Sequence, residues 1–337
     1  MEFFQILYDE LISFFGLNKL IELVQTEDYT VLRTLDGILG ILSPLIPLLL
    51  VIELIRALYN QKFHSTTYRI SFLIIVFNRV VSRIISFGTV GLIIGLLEKY
   101  ALFTTTFSWY WLIYGYIVWE LAHFVYHYLG HKVRLFWCLH STHHAPEHMN
   151  LSVTYAHFFL EAPYADVIRT TICILLGVNP PLLFFIMFVD GTWGSFIHVG
   201  ENLIRDGRLG FLNKILLTPS HHRVHHARNP LYMDTNFCNL LNILDKVFKT
   251  HQHEKTEIPP EYGITREMNP RSFMDVYFGE WTALWKDIRH AQGIKNKLLY
   301  VVMPPGWSHT GDHKTATQVR NKFIENRKGE EGLTMKG

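Results

Sequence analysis

Cysteine is scarce in this chain: three in 337 residues, Cys138, Cys173 and Cys238. That excludes a disulfide framework, and two of the three fall within or beside apolar runs, where buried free thiols are expected. Charge is scarce as well, at 18% of residues against about 25% in an ordinary soluble domain. With 31 basic and 29 acidic residues the net charge is +2, so no bulk electrostatic footprint points to nucleic acid. The N-terminal stretch MEFFQILYDELISFFGLNKLIELV lacks a basic n-region and carries acids among its apolar residues, so a cleavable leader is not expected. A His-Glu-x-x-His word and any internal repeat are also lacking.

Apolar residues are abundant. Hydrophobic residues make up 49% of the chain and aromatics 14%, and mean hydropathy is +0.15. The expected fold class is all-α: an integral membrane helical protein with about four spanning segments and a histidine-rich polar helical cap holding a two-metal site. Residues 1–36 read as an amphipathic N-terminal segment, 37–255 as a membrane-embedded domain, 256–313 as a C-terminal cap extension and 314–337 as a mobile tail. The first expected span is 37–58, near the roughly 20 residues a bilayer requires. A second lies within 68–100, with Arg79 and Arg83 on one helical face. A third starts near Phe107, and a helical hairpin, 164–199, is interrupted at Asn179-Pro180-Pro181. Charge is sparse until about position 245 and dense beyond it.

Many of the 19 histidines fall in short words of helical spacing. His127 and His131 in HYLGH are i,i+4 and share a face. His140, His143 and His144 in HSTHH are i,i+3,i+4. His222, His225 and His226 in SHHRVHH repeat that spacing, with His221 one step before. His198 stands alone at the end of an apolar helix. Imidazole is the commonest nitrogen ligand of the later first-row metals. These nine histidines suffice for two metals, and burying so many titratable rings has no stability rationale of its own. The sequence leaves open whether His123, His148, His157 or His221 also ligate. His64, His251, His253, His290, His309 and His313 lie in polar stretches and read as surface residues.

The pattern H-x3-H, H-x2-H-H, H-x2-H-H at 127–131, 140–144 and 222–226 resembles the fatty acid hydroxylase/sterol desaturase superfamily. So do the words NLS at 150–152, TPSHHRVHHARNPLYMDTNF at 218–237 and LDKVFKTHQHE at 244–254. Within it, the chain is most similar to the alkylglycerol monooxygenase family and its bacterial relatives, through TPSHHRVHHARN, YGIT at 262–265, NP at 269–270 and PPGW at 304–307. The resemblance implies a membrane di-iron oxygenase that hydroxylates a lipid, with an ether lipid as substrate and tetrahydrobiopterin as reductant. Zinc can replace iron in a purified sample. After NLS this chain runs VTYAHFF, with His157, and the lone histidine sits in FIHVGEN.

Hydroxylating an unactivated C–H needs a metal cofactor that activates O2; zinc has no redox chemistry. The expected partners are a membrane lipid, O2 and an electron donor, and no nucleic acid. Carboxylates behind the ligands are expected as well: Glu120, Glu161, Asp190, Glu201 and Asp234 are in reach by sequence. Glu201 and Asp190 stand out because they flank an apolar segment. Lys132, Arg134, Arg205, Arg208, Lys214 and Arg223 flank the boxes, which the positive-inside rule assigns to the cytoplasmic side. Two alternatives remain at this point: a hydroxylase of another lipid (fatty acyl, sterol or amino-acid-containing headgroup), or a membrane metal-binding or transport protein.

Overall fold

The computed structural model describes residues 2–84 and 88–334. Among these residues the chain is all helix, with isolated β-bridges and no strand. It divides into two compact units, 1–63 and 64–337. This split falls after the first long apolar helix.

The first unit holds α1 (Glu2–Phe14), α2 (Asn18–Thr26), α3 (Leu35–Leu42) and α4 (Leu45–Tyr59). Thr34 caps α3 by accepting the amide of Gly37 at 3.1 Å. Ser43, in the turn after α3, donates to the carbonyls of Gly16 and Gly40 at 2.8 and 2.7 Å. That bond to Gly16 joins α3 to the amphipathic segment before it. Taken across the turn, Asp36–Tyr59 is the one helix among the described residues long and apolar enough to cross a membrane, by length and composition.

The second unit comprises α5 (Ser65–Ile84), α6 (Thr89–Leu97), α7 (Trp109–Lys132), α8 (Arg134–His144), α9 (Glu161–Leu175), α10 (Pro180–Phe196), α11 (Pro219–His225), α12 (Ile243–Val247), α13 (Phe273–His290), α14 (Gly293–Val302) and α15 (Ala316–Thr334). The stretch 68–100 is two helices. The side chain of Arg83 lies outside the described residues, so its pairing with Arg79 does too. The hairpin expected over 164–199 is present as α9 and α10. At 15 and 17 residues each falls short of the roughly 20 a straight span requires. Asn179 caps α10 by accepting the Leu182 amide at 3.0 Å, with Pro180 in the first turn, where a missing N–H costs nothing.

Helices α7, α9 and α10 share a dry core of Val118, Trp119, Ala122, Cys173, Leu182, Leu183 and Ile186. Gly115 permits the close approach: a Cβ there would meet Ile186 Cδ1 at 2.8 Å. All three cysteines are buried and free. The region after 255 is not an appendage. Val276 and Tyr277 of α13 pack with Ile70 and Ile74 of α5 and Leu139 of α8, while Leu284 and Tyr300 enclose Cys138. The segment 314–337, expected to be mobile, instead contains α15. Its Arg320 donates to the Leu231 carbonyl at 2.9 Å, and Phe323 and Ile324 pack on Val224, Ala227 and Tyr232. A charged composition suggested a free tail, but two apolar side chains and one arginine on a single face suffice to dock it.

Arg223, one of the basic residues flanking the boxes, is fully buried. Its guanidinium donates to the carbonyls of Val199, Ile204 and Arg205 at 3.1, 2.6 and 3.0 Å, pinning the loop after α10 to α11. Arg223→Met should leave these carbonyls unpaired and cost on the order of 3 kcal/mol. The check is a fall in Tm by thermal unfolding; an unchanged Tm would contradict the role of this clamp.

Candidate metal centre

The last two turns of α7, the C-terminal half of α8, the turn after α10, and α11 bring their imidazoles together. Helical spacing aligns His127 with His131, His140 with His144, and His222 with His226. The result is two buried groups: His127, His131, His140, His144 and His225 in one; His143, His198, His222 and His226 in the other. Within each group the ligating nitrogens lie no more than 4.8 Å apart. The i+3 members of the two H-x2-H-H words part company: His143 leaves α8 for the second group, and His225 leaves α11 for the first. Each helix thus feeds both groups.

The hydrogen bonds behind the rings fix their tautomers. A carbonyl can only accept. His127 Nδ1 therefore donates to the Phe237 carbonyl at 2.8 Å, His225 Nδ1 to that of Thr235 at 2.8 Å, and His198 Nδ1 to that of Gly194 at 2.6 Å. His140 Nδ1 donates to Glu161 Oε1 at 2.5 Å. A neutral ring protonated at Nδ1 bears a lone pair at Nε2. His127 Nε2 and His140 Nε2 nevertheless face each other at 3.1 Å, and neither can donate. His131 Nε2 and His225 Nε2 are buried with no partner at all. Converging bare lone pairs are what a metal cation requires, so the donor set fits a metal in each group.

Burial first, and then crowding by neighbouring imidazoles, hold His144, His225 and His226 well below the ordinary histidine range, which keeps them in the neutral, ligating form. Glu161 is buried as well, which by itself would raise its carboxyl. His157 and His140 beside it outweigh that and hold it below the usual carboxylate range.

The carbonyls facing the rings come from a tight loop. Asp234 and Asn236 take positive φ of 56° and 59°, a region that Asp and Asn tolerate. Asn236 accepts the Gln252 amide and donates to the His221 and Gln252 carbonyls, closing the turn. Asp245 accepts the amides of Phe237 and Cys238 at 2.8 and 3.0 Å. Glu120 accepts those of Asn239, Leu240 and Leu241 at 3.3, 2.7 and 2.8 Å. Glu120 is thus an anchor for this loop and does not touch a clustered ring.

Two carboxylates do stand behind clustered histidines: Glu161 behind His140, and Asp234, whose Oδ1 is 3.6 Å from His131 Nδ1 and whose other oxygen meets Lys132. Glu201 and Asp190, expected in this role, are placed elsewhere. Glu201 is exposed. Asp190 is buried, but its nearest histidine is His123 at 3.9 Å. Proximity in sequence to an apolar segment did not report which helix face each acid occupies. His123 belongs to neither group, and His148 stacks on His64 at 3.5 Å. His157 is half-buried, stacks on His143 at 4.2 Å and bonds the second oxygen of Glu161 at 2.8 Å. The backbone carbonyls of Gly194, Thr235 and Phe237 were not foreseeable, since any residue type carries one.

Residues 111–250 match the family described as fatty acid hydroxylase. The chain carries a fatty acid hydroxylase domain. All nine clustered histidines, with Glu161 and Asp234, fall inside the hydroxylase domain. The chain is 30% identical to alkylglycerol monooxygenase of Danio rerio over 202 residues, covering 60% of this chain and 43% of that protein. It is 30% identical to alkylglycerol monooxygenase of Homo sapiens over 212 residues, 62% of this chain and 46% of the relative. It is 25% identical to ornithine lipid hydroxylase OlsE of Rhizobium tropici over 151 residues, 45% of this chain and 44% of that one. The match spans less than half the length of each of these relatives. No solved structure matches.

Replacing Glu161 by Gln in the hydroxylase domain should weaken metal binding about 10–100-fold, read by chelator competition, whereas Glu201→Ala should leave metal content unchanged. Equal affinities for both variants would remove Glu161 from the site. Stripped of metal, the domain should lose stability as pH falls. An imidazole held below 6.5 when folded takes up protons more readily unfolded, so its contribution is full above about 6.5 and is lost below it. Tm measured from pH 8 to pH 5 checks this; a Tm that rises on acidification would contradict it.

Proposed function

We propose that this protein is a membrane di-iron monooxygenase that hydroxylates a lipid at a carbon near its polar head, with cleavage of an alkylglycerol ether bond as the leading outcome. The observation that carries the reading is the pair of buried imidazole groups with converging ring nitrogens, among which His127 and His140 turn bare Nε2 lone pairs toward each other. Two iron ions held by His127, His131, His140, His144 and His225, and by His143, His198, His222 and His226, would supply the O2 activation that no side chain provides. Tetrahydrobiopterin is the proposed reductant.

The chain's own residues orient and shield. Phe237, Thr235 and Gly194 carbonyls and the Glu161 carboxylate fix four ring planes, so the ligand cage is set before substrate arrives. The buried rings sit among Trp137, Phe237 and Tyr126, which keep bulk water away. His157 is a half-buried edge of this network. It reaches the surface while stacked on His143, which suits it to meet the polar head of a substrate.

The helix Asp36–Tyr59 supports a membrane location. We extend it to a multi-pass arrangement of about four membrane segments, with α5–α6, the upper part of α7 and the α9–α10 hairpin as the others. Lys132, Arg134, Arg205, Arg208 and Lys214 around the boxes favour a cytoplasmic site. Substrate regiochemistry follows from depth. The ligands occur where apolar helix gives way to KVR, ENLIRDGR and HHRVHH, so a carbon at the bilayer centre would be roughly 15 Å away. An ether-linked glycerol carbon lies at the right level. The likeness to an ornithine lipid hydroxylase supports a second reading, an amino-acid-containing headgroup; the VTYAHFF word stands near His157, where such a head would sit. A metal transporter is disfavoured, because rings locked by backbone carbonyls form a cage and not a path.

Purified protein supplied with iron, a pterin, a lipid panel and labelled O2 should place label on a carbon beside the headgroup. Label confined to the distal half of an acyl chain would refute the depth argument. Label near the head of a lipid lacking an ether bond would keep that argument and discard the ether substrate.

A further inference from the structure

The sequence leaves open whether His221 ligates and reads His251 and His253 as surface residues, yet the fold gathers all three. Their ligating nitrogens lie within 4.8 Å of one another, as in the two buried groups. His221 Nε2 and His253 Nδ1 are 3.1 Å apart. The ring centroids of His251 lie 4.7 Å from His221 and 4.6 Å from His253. Three features separate this trio from a chance meeting of surface rings. His221 is fully buried. Both ring nitrogens of His251 are shielded from solvent and have no hydrogen-bond partner. The three residues come from two segments, α11 and the strap after α12, which Asn236 holds in register through its bonds to the His221 and Gln252 carbonyls.

We infer that His221, His251 and His253 form a third metal site, separate from the two buried groups, that takes a divalent cation of zinc type with an open fourth position. Successive residues on an α-helix point about 100° apart. His221 is thus turned about 100° from His222 but only about 40° from His225; its ring nevertheless meets His251 and His253, and a cation here ties α11 to the strap. Zinc–imidazole bonds of about 2.0–2.1 Å place tetrahedral nitrogens about 3.4 Å apart. The His221–His253 pair is already near that separation, and His251 has only to turn toward it. His221 Nδ1 accepts the Thr218 amide at 3.3 Å; to offer Nε2 the ring gives up that bond and carries its proton on Nδ1, where Thr218 Oγ1, which itself donates to Asn213, lies 3.2 Å away to accept it. His253 is exposed, which supplies the entry path. The opposing charge is Lys246, whose ammonium acts on all three rings. His251 and His253 lie beyond the matched domain, 111–250, so this site does not depend on what the domain's clusters hold.

The test uses full-length detergent-solubilised protein without a histidine tag, stripped with chelator and titrated with zinc against a chromophoric competitor. The wild type should bind one more equivalent than the His251→Ala, His253→Ala double variant. Lys246→Gln should tighten that extra equivalent several-fold by removing the repelling charge. If the double variant fails to fold, His253→Ala alone, at an exposed position, should weaken the same equivalent at least tenfold. Equal zinc stoichiometry in wild type and double variant, or an unchanged last equivalent in His253→Ala, would overturn the site. The readout is a difference of one, so it stands even if the buried groups bind fewer metals than proposed, and that shortfall would count against the di-iron reading alone.

Discussion

Two imidazole nitrogens that cannot donate face each other at 3.1 Å in the middle of this protein, and the rest of the hydroxylase domain is arranged to keep them there. His127 is committed by the Phe237 carbonyl and His140 by Glu161. Without a cation between them the two lone pairs repel, in surroundings too dry for water to intervene. The arrangement suits one half of a bond whose other half is a metal. Every neighbouring feature either fixes a ring plane or excludes solvent.

The loop from Tyr232 to Leu241 shows how far this constraint reaches. It contributes no ligand, yet its carbonyls set the orientation of His127 and His225. It in turn needs Glu120 from α7 and Asp245 from α12 to satisfy its amides. Those acids sit in apolar surroundings, where an unpaired carboxylate is costly; converging backbone N–H groups compensate. Helices α13, α14 and α15 then close over α8 and α11. A region that reads as a cap extension and a tail is the outer wall of the cage.

The histidine words were legible because the chemistry demands a residue type that is rare elsewhere and a spacing that one helix face imposes. The nine residues singled out are the nine the fold collects into two groups. The carboxylates were less legible. Glu201 and Asp190 had the right company in sequence, but Glu161 and Asp234 have the right direction in space. An acid at a helix start, such as Glu161, looks the same whether it faces water or His140. The apolar stretches were legible as helices but not as spans. α9 stops after 15 residues, just before Asn179-Pro180-Pro181 starts α10, which runs for 17.

The sequence by itself determined that this chain would be helical and apolar, and that imidazoles at i, i+3 and i+4 would act together, since these follow from composition and from the 3.6-residue turn. It could not determine which rings share a group. His143 and His144 are neighbours in the chain, yet they serve different clusters because adjacent positions on a helix diverge by about 100°. Nor could it show that His251 and His253 meet His221, for that contact is made by the Asn236 turn folding the strap onto α11. Spacing along one helix is local and is written in the sequence; convergence of different helices depends on packing across the chain, and only the tertiary structure decides it.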